Sequence, residues 1–520
     1  MPYILESSMS LSHIASTTIA IGVLYLIIAP YRQRRQMPPG PPGVPILGNA
    51  LQVPTTMAWF RFTEWKEKYG PIYSLNLAGQ PVVVLNTHKV AGDLLDRRSN
   101  IYSDRPRLIM PGEILTGGIY MVFARYGDVW RRMRRASHEE FSLRSVEKYL
   151  PALFKESALN ILDVANDPDA WADRLKNSTA SNILTAVYGR PRITAKDKPI
   201  LDRAHAHTAR LASATAPGAF LVELFPFMMF FPNWMAKWKR DGIAWHEEET
   251  KFLEKLDEEA VEKEVQYSFA RQLAVNAQRH GLSKKERAWL AGINFAAGAE
   301  TTHATLLAFV LAMTLHPEVV HKAQAELDAV VGRERLPTYE DKENLPYIRA
   351  IHKETLRWRP VGPLAVPRRV TEDDWYDGYL IPKGTTVIAN VWAINRDPEV
   401  FPDYEEYRPE RFLDETGTID SVPLDTHGMG HVTFGFGRRI CVGHNFANQV
   451  LFIHMAMLLW AFNFDKALGA NGEPITPSKD DSIDAGVVVL PAPFKCKLTP
   501  RIQGLKSVID REMEDLGVAL

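Results

Sequence analysis

The stretch Phe434-Gly435-Phe436-Gly437-Arg438-Arg439-Ile440-Cys441-Val442-Gly443 concentrates the residue types that could do chemistry in this chain of 520 residues. It holds one of only two cysteines, with glycines at 435, 437 and 443 and two arginines just ahead of the thiol. A glycine-rich loop that offers backbone N–H groups and positive charge to one sulfur favours the thiolate. A thiolate without a partner cysteine serves either as a catalytic nucleophile or as a single metal ligand. The plainer reading is a buried structural cysteine in a turn, because free Cys is among the most buried residue types.

Four further groupings carry chemical potential. Trp130 and Arg134 stand at i and i+4 in Trp-Arg-Arg-Met-Arg-Arg, so an indole N–H and a guanidinium share a helix face and could both bind a carboxylate. Ala297-Gly298-Ala299-Glu300-Thr301-Thr302 places small residues before an acid and an alcohol. A Thr301 hydroxyl can bond back to the carbonyl of Ala297 and bend the helix, and Glu300 beside it could relay protons. Glu354 and Arg357 are spaced i and i+3, a pairing common and weak on its own, with Arg411 following in Pro-Glu-Arg-Phe. Arg368 ends the run Pro363-Leu364-Ala365-Val366-Pro367. His444 lies close to Cys441 but on the next predicted helix, pointing away from any metal held by the thiolate. Cys496 reads as structural, in a C-terminal strand.

Phe-x-x-Gly-x-Arg-x-Cys-x-Gly, from Phe434 through Gly435, Gly437, Arg439 and Cys441 to Gly443, resembles the haem-binding loop of the cytochrome P450 family. The Ala297–Thr302 segment is similar to that family's oxygen-binding helix, and Glu354, Arg357 and Arg411 match its buried Glu-Arg-Arg triad. The resemblance runs over nearly the whole chain, in membrane-anchored, fungal-type form, and implies a mainly α fold with small β-sheets. It implies haem b (iron protoporphyrin IX) with Cys441 as axial iron ligand and Trp130, Arg134, Arg368 and Arg439 on the propionates. Phe434, Gly435, Gly437, Gly443 and Ala297 would complete the cofactor site, and Thr301 and Glu300 would deliver protons. The implied reaction inserts one atom of O2 into a hydrophobic small molecule, by hydroxylation or epoxidation, in secondary metabolism or xenobiotic oxidation. Electrons would come from NADPH through NADPH-cytochrome P450 reductase, with cytochrome b5 as an optional donor. The alternatives are a haem-thiolate isomerase or dehydratase, and a non-enzymatic haem sensor or carrier.

These residues need elements to hold them. The capping-box pair Ser283 and Glu286 opens a run that no proline interrupts before Pro317, predicting a helix of about 32 residues and about 48 Å. Helices are expected at 56–69, 87–98 and through most of 127–360. Strands are expected at 72–77, 81–85, 375–381, 385–390, 487–490 and 494–498. The pocket is expected from 109–121, 361–366 and 485–490.

Residues 1–31 hold no Lys or Arg and one acid, Glu6, and 11–30 are mostly apolar. Twenty such residues span a bilayer core, and the arginines after them predict a lumenal N-terminus and a cytosolic body. A cleaved signal peptide is the competing reading. The expected organisation is an anchor at 1–31, a basic and proline-rich hinge at 32–48 acting as a stiff spacer, a catalytic domain at 49–502 and a tail at 503–520. The resulting location is the endoplasmic reticulum membrane, single-pass. The proline-broken apolar stretch 218–235 resembles a membrane-dipping substrate mouth. Lys plus Arg total 61 against 62 Asp plus Glu, which gives no global field for nucleic acid. The absence of a Walker loop or a convincing Gly-x-Gly-x-x-Gly fingerprint assigns NADPH and flavin to the partner.

Overall fold

A computed structural model describes residues 35–515 apart from 191, 217, 263–266, 420 and 421. The expected anchor at 1–31 lies outside the described residues. The first half of the chain runs α1 (Ala58–Tyr69), β1 (Ile72–Leu77), β2 (Gln80–Leu85), α2 (Asp128–Glu140), α3 (Leu150–Asn166), α4 (Trp171–Tyr188), α5 (Lys198–Thr215) and α6 (Lys237–Glu262). It continues through α7 (Lys284–Leu315), α8 (Pro317–Val330), α9 (Pro346–Trp358), β3 (Arg368–Arg369), β4 (Asp374–Tyr376), β5 (Tyr379–Ile381) and β6 (Thr386–Ala389). Last come α10 (His444–Ala461), β7 (Phe462–Lys466), β8 (Ser482–Asp484), β9 (Val489–Pro491), β10 (Cys496–Pro500) and α11 (Leu505–Asp515). Short helical turns join them.

The long helix α7 is the axis of the body. Ser283 Oγ accepts from Glu286 N–H and Glu286 Oε2 accepts from Ser283 N–H at 2.8 Å, so the helix starts where the capping box predicts. It stops at His316 because Pro317 cannot continue it. Its apolar residues lie on every face, and the packing explains this. Ala288–Ala299 contribute to a core with α4 and α6, whereas Leu306–Met313 belong to a second core built around α10. Among the described residues α7 is long and apolar enough to cross a membrane, but most of it is buried inside the protein.

The main sheet has the order β1-β2-β6-β3. β1 and β2 form an antiparallel hairpin with Ile72 opposite Leu85; β2 and β6 run parallel; β3 closes the edge antiparallel to β6. Successive strand residues face opposite ways. In β3 this turns Arg368 inward, while Arg369 reaches Asp104 at 3.4 Å.

Two expected elements, a helix and a strand, are corrected. The helix expected over 87–98 is α-helical only at His88–Ala91 and widens to π geometry over Gly92–Arg97. The wider coil turns the Leu95 carbonyl toward Arg368 Nη1, 3.4 Å away. The strand expected at 375–381 is the hairpin β4–β5, turned at Asp377-Gly378, both with positive φ. The proline-rich segment is tied to the body at its start: Ser74 N–H donates to the Pro39 carbonyl at 2.9 Å and Ser74 Oγ to that of Pro38 at 2.6 Å. A Cβ on Gly40 would run into the Ser74 carbonyl. The expected tail at 503–520 contains α11, which buries Leu505, Val508, Ile509 and Met513 in the α10 core.

Candidate functional site

One large cavity, about 340 Å³, lies between α7 and the Cys441 loop. The loop is built by backbone demands. Cys441 N–H donates to the Phe434 carbonyl at 2.8 Å, folding the ten-residue stretch back on itself. Gly435 and Gly437 have φ of 81° and 49°, the left-handed region that glycine enters freely. Gly437 has a second reason to lack a side chain, because a Cβ there would meet the Leu95 carbonyl oxygen. Its N–H is held by Asp96 Oδ1. Gly443 lines the cavity and precedes the first turn of α10. Phe434 lines the cavity and packs beside His431 and His444.

The Cys441 sulfur opens to the cavity yet is enclosed by protein, far from bulk water. Burial pushes its thiol up; N–H donors from Gly443 and His444 and the Arg134 charge oppose that without overcoming it. The expected balance in favour of the anion therefore does not hold for the protein residues alone. A bound cation would supply what is missing. His444 Nδ1 donates to the Cys441 carbonyl at 2.8 Å, which accounts for its ring. Cys496 is buried in β10, and Thr314 Oγ1 donates to its sulfur at 3.1 Å.

Four arginines line the same cavity. Arg134 Nη1 donates to the Ile440 carbonyl at 2.7 Å and Arg368 Nη2 to that of Phe436 at 2.5 Å. Arg439 donates to the Ser103 and Ala124 carbonyls at 2.8 Å each. The fourth, Arg105, escaped the sequence reading. Its guanidinium donates to the carbonyls of Val122, Val366 and Pro367 at 2.9, 2.5 and 2.7 Å. Among the described residues none of the four has a carboxylate within 4.0 Å, although each is enclosed. Burial pulls Arg368 down to about 10, and burial with the neighbouring Arg368 pulls Arg439 down to about 9. Trp130 lies 4.3 Å under the Arg439 guanidinium, and among the described residues its indole N–H has no acceptor although the residue is 5% exposed. Buried cations without anions are costly, so this cluster is suited to carboxylates of a guest. A glycine loop with an open sulfur, an indole donor and four unpaired guanidiniums around one cavity fit a flat, dianionic, metal-bearing group such as haem.

Across the cavity, Ala297, Gly298, Thr301 and Thr302 line the wall. Thr301 Oγ1 donates to the Ala297 carbonyl at 2.8 Å, and Thr305 Oγ1 to that of Thr301 at 3.0 Å, while α7 continues unbroken. Gly298 is small for packing: a Cβ would lie 2.7 Å from Ile183 Cγ1 on α4. Glu300 does not line the cavity. It is half-buried on the flank of α7, where burial pushes its carboxyl up to about 7 against the pull of Lys176.

Behind the Cys loop, Arg357 grips Glu354 with two bonds of 2.6 and 2.7 Å, and Arg411 Nε adds a third at 3.1 Å. The Arg408 N–H donates to Glu354 as well, at 2.9 Å, and Arg357 Nη1 reaches the Asn395 carbonyl at 3.0 Å. The three side chains are thus brought together in the interior. Of the expected pocket segments, Val361–Val366 contributes four lining residues, 485–490 contributes Val487 and Val488, and 109–121 only Met121. The earlier part of 109–121 packs into the α6 core instead.

The profile of the cytochrome P450 family matches residues 38–498. The chain is 52% identical to cytochrome P450 monooxygenase 58 of Postia placenta, over 95% of this chain and 96% of that one. It is 47% identical to a cytochrome P450 monooxygenase of Armillaria gallica over 93% of each, and 36% identical to cytochrome P450 monooxygenase iboC of Amanita muscaria over 93% and 94%. With this profile across most of its length and these relatives, the chain belongs to the cytochrome P450 family of oxygen-incorporating, haem-dependent oxidoreductases.

Proposed function

We propose that this protein oxidises a hydrophobic small molecule by inserting one oxygen atom from O2, with electrons from NADPH delivered by a membrane-bound reductase. The observation that carries the reading is the unpaired cluster of Arg105, Arg134, Arg368 and Arg439 around a cavity that ends on the Cys441 sulfur. These arginines and the Trp130 N–H would hold the haem propionates, and Cys441 would ligate the iron. Haem bound there supplies reductive activation of O2 and oxygen transfer to a C–H or C=C bond. The protein's own residues then do the rest. The triad of Glu354, Arg357 and Arg411 keeps the thiol side rigid. Thr301 offers its hydroxyl at the cavity wall, and Glu300 stores a proton one residue away, on the flank. Apolar walls exclude water and orient the substrate.

Exposed Arg131, Arg135 and Arg438 offer positive charge to an acidic redox partner, with Arg135 and Arg438 each one residue from a cavity arginine; Arg132 beside them is engaged by Glu286 at 2.7 Å. Attachment to the endoplasmic reticulum membrane through 1–31 is supported by exposed Phe227, Phe230, Trp234 and Met235 in the predicted mouth, with Phe230 89% exposed. The test is reconstitution of the haem-loaded protein with NADPH, a P450 reductase and isotopically labelled O2. One labelled oxygen per product molecule is expected. Turnover without oxygen uptake would replace this reading with a haem-thiolate isomerase or dehydratase.

A further inference from the structure

We propose that Asp96 is a positioning residue for the Cys441 loop, and that the charge on its neighbour His427 tunes the reduction potential of the haem the loop holds. This rests on the haem-thiolate reading above. The peptide group between Phe436 and Gly437 is gripped at both ends. Its carbonyl accepts from Arg368 Nη2 at 2.5 Å, and its N–H donates to Asp96 Oδ1. A cation on the oxygen and an anion on the N–H fix the plane of that peptide and polarise it. Gly437 then opens a single helical turn, Gly437–Arg439, which Ile440 N–H closes on the Gly437 carbonyl at 3.1 Å, one residue before the thiol. Tilting this peptide tilts the turn that presents Cys441.

The Asp96 oxygen that accepts from Gly437 also accepts from His427 Nε2, 3.1 Å away. A carboxylate oxygen can only accept, so Nε2 carries a proton. One oxygen thus serves a fixed donor and a titratable one. Contacts hold the turn that carries the histidine. Asp425 and His427 both have positive φ, 60° and 53°, Arg97 Nη2 reaches Asp425 Oδ1 at 2.7 Å, and a Cβ on Gly92 would press on the Asp425 carboxylate. The His427 side chain is 32% exposed, so it exchanges protons with solvent. Around the pair stand Arg97 and Asp93 from the π turn, Asp425, Arg368 behind Asp96, the Phe436 ring and His444 of α10. Arg97 is taken by Asp93 and Asp425, Arg368 by the Phe436 carbonyl and His444 by that of Cys441. Asp96 is therefore the anion that His427 answers to. Hydrogen bonding to Asp96 makes the ring keep its proton to higher pH than an ordinary histidine, and it loses that proton as pH rises further. With the proton the pair is neutral; without it the pair carries the Asp96 charge beside the loop. A negative charge there opposes adding an electron to the haem, so the potential should fall as pH rises.

The test is a spectroelectrochemical titration of the haem-loaded full chain from about pH 5.5 to about pH 8.5. Wild type is expected to show a midpoint that falls with rising pH, read as about a fivefold change in the ferrous-to-ferric ratio at a fixed solution potential. His427→Gln can still donate to Asp96 but cannot take a charge, so it should lose that fall and match wild type only at the alkaline end. Asp96→Asn keeps the shape without the anion and should shift the whole profile upward. A wild-type profile in either variant would overturn the proposal, including one accompanied by a lowered melting temperature, which would leave the cluster a purely structural role. Should Asp96→Asn fail to fold, His427→Gln decides alone. The reduced carbon monoxide spectrum of wild type tests the haem-thiolate reading separately. Loss of its long-wavelength band would sink that reading, whereas a normal band with a flat potential profile in wild type would sink this proposal alone.

Discussion

The two walls of the cavity are built on opposite rules. On the thiol side almost every polar group is engaged. Glu354 accepts four hydrogen bonds, the four arginines are held by main-chain carbonyls, and the Cys441 loop is pinned by its own backbone and by Asp96. On the α7 side the polar groups are few and bond within their own helix: Thr301 donates to Ala297 and Asn294 to Leu290, while Glu300 sits off the cavity on the flank with its carboxyl raised to about 7. A wall that holds a metal ligand needs rigidity, and a wall that meets a hydrophobic substrate needs mostly apolar surface.

The largest effect should follow from breaking the engaged wall. Glu354→Ala leaves two guanidiniums buried without their anion, at a cost of about 3–5 kcal/mol, enough to remove much of a domain's stability. Little folded, haem-loaded protein is expected, measured by thermal unfolding and haem content. A near-normal yield would mean that the triad does not brace the loop.

A smaller loss is expected from the carboxylate cradle. Arg368→Leu removes one of the guanidiniums proposed to hold a propionate, and haem retention should weaken by about tenfold or more in a transfer assay to apomyoglobin. Retention equal to wild type would remove Arg368 from the cradle. On the open wall the protein should stay folded and the effect should be kinetic. Thr301→Ala is expected to retain haem while NADPH consumption separates from product by severalfold. Unchanged coupling would take the proton-handling role away from Thr301.

The smallest effect is a pH dependence. Burial raises the Glu300 carboxyl to about 7, so the group is protonated below that pH and loses its proton as pH rises through it. Product formed per NADPH should fall over that window in wild type, and Glu300→Gln should flatten the profile. An identical profile in the variant would show that another group controls the proton.

The difference between the walls also explains what could be read in the sequence. The Cys441 loop was legible because its demands are local: glycines at positive φ and a Cys441 N–H that returns to the Phe434 carbonyl seven residues earlier. The start and end of α7 were legible for the same reason, through Ser283, Glu286 and Pro317. Arg105 was not, since its value depends on carbonyls of Val122, Val366 and Pro367 that arrive from far along the chain. Nor was the turn of Glu300 onto the flank, because a repeat of 3.6 residues rotates neighbouring side chains by about 100° and only packing decides which one meets the cavity. The β4–β5 hairpin was within reach through Asp377-Gly378, a turn signal inside an otherwise strand-like run. Burial of α11 lay beyond reach, since a short amphipathic segment near the C-terminus does not announce what it docks against.

The central claim is that Cys441 holds the haem iron in a cavity shaped for it. The direct measurement is the difference spectrum of the dithionite-reduced, carbon monoxide-bound protein, for wild type and for Cys441→Ser. The account predicts the long-wavelength Soret band of a thiolate-ligated haem in wild type and its absence in the variant. A normal band in Cys441→Ser, or none in haem-loaded wild type, would contradict it.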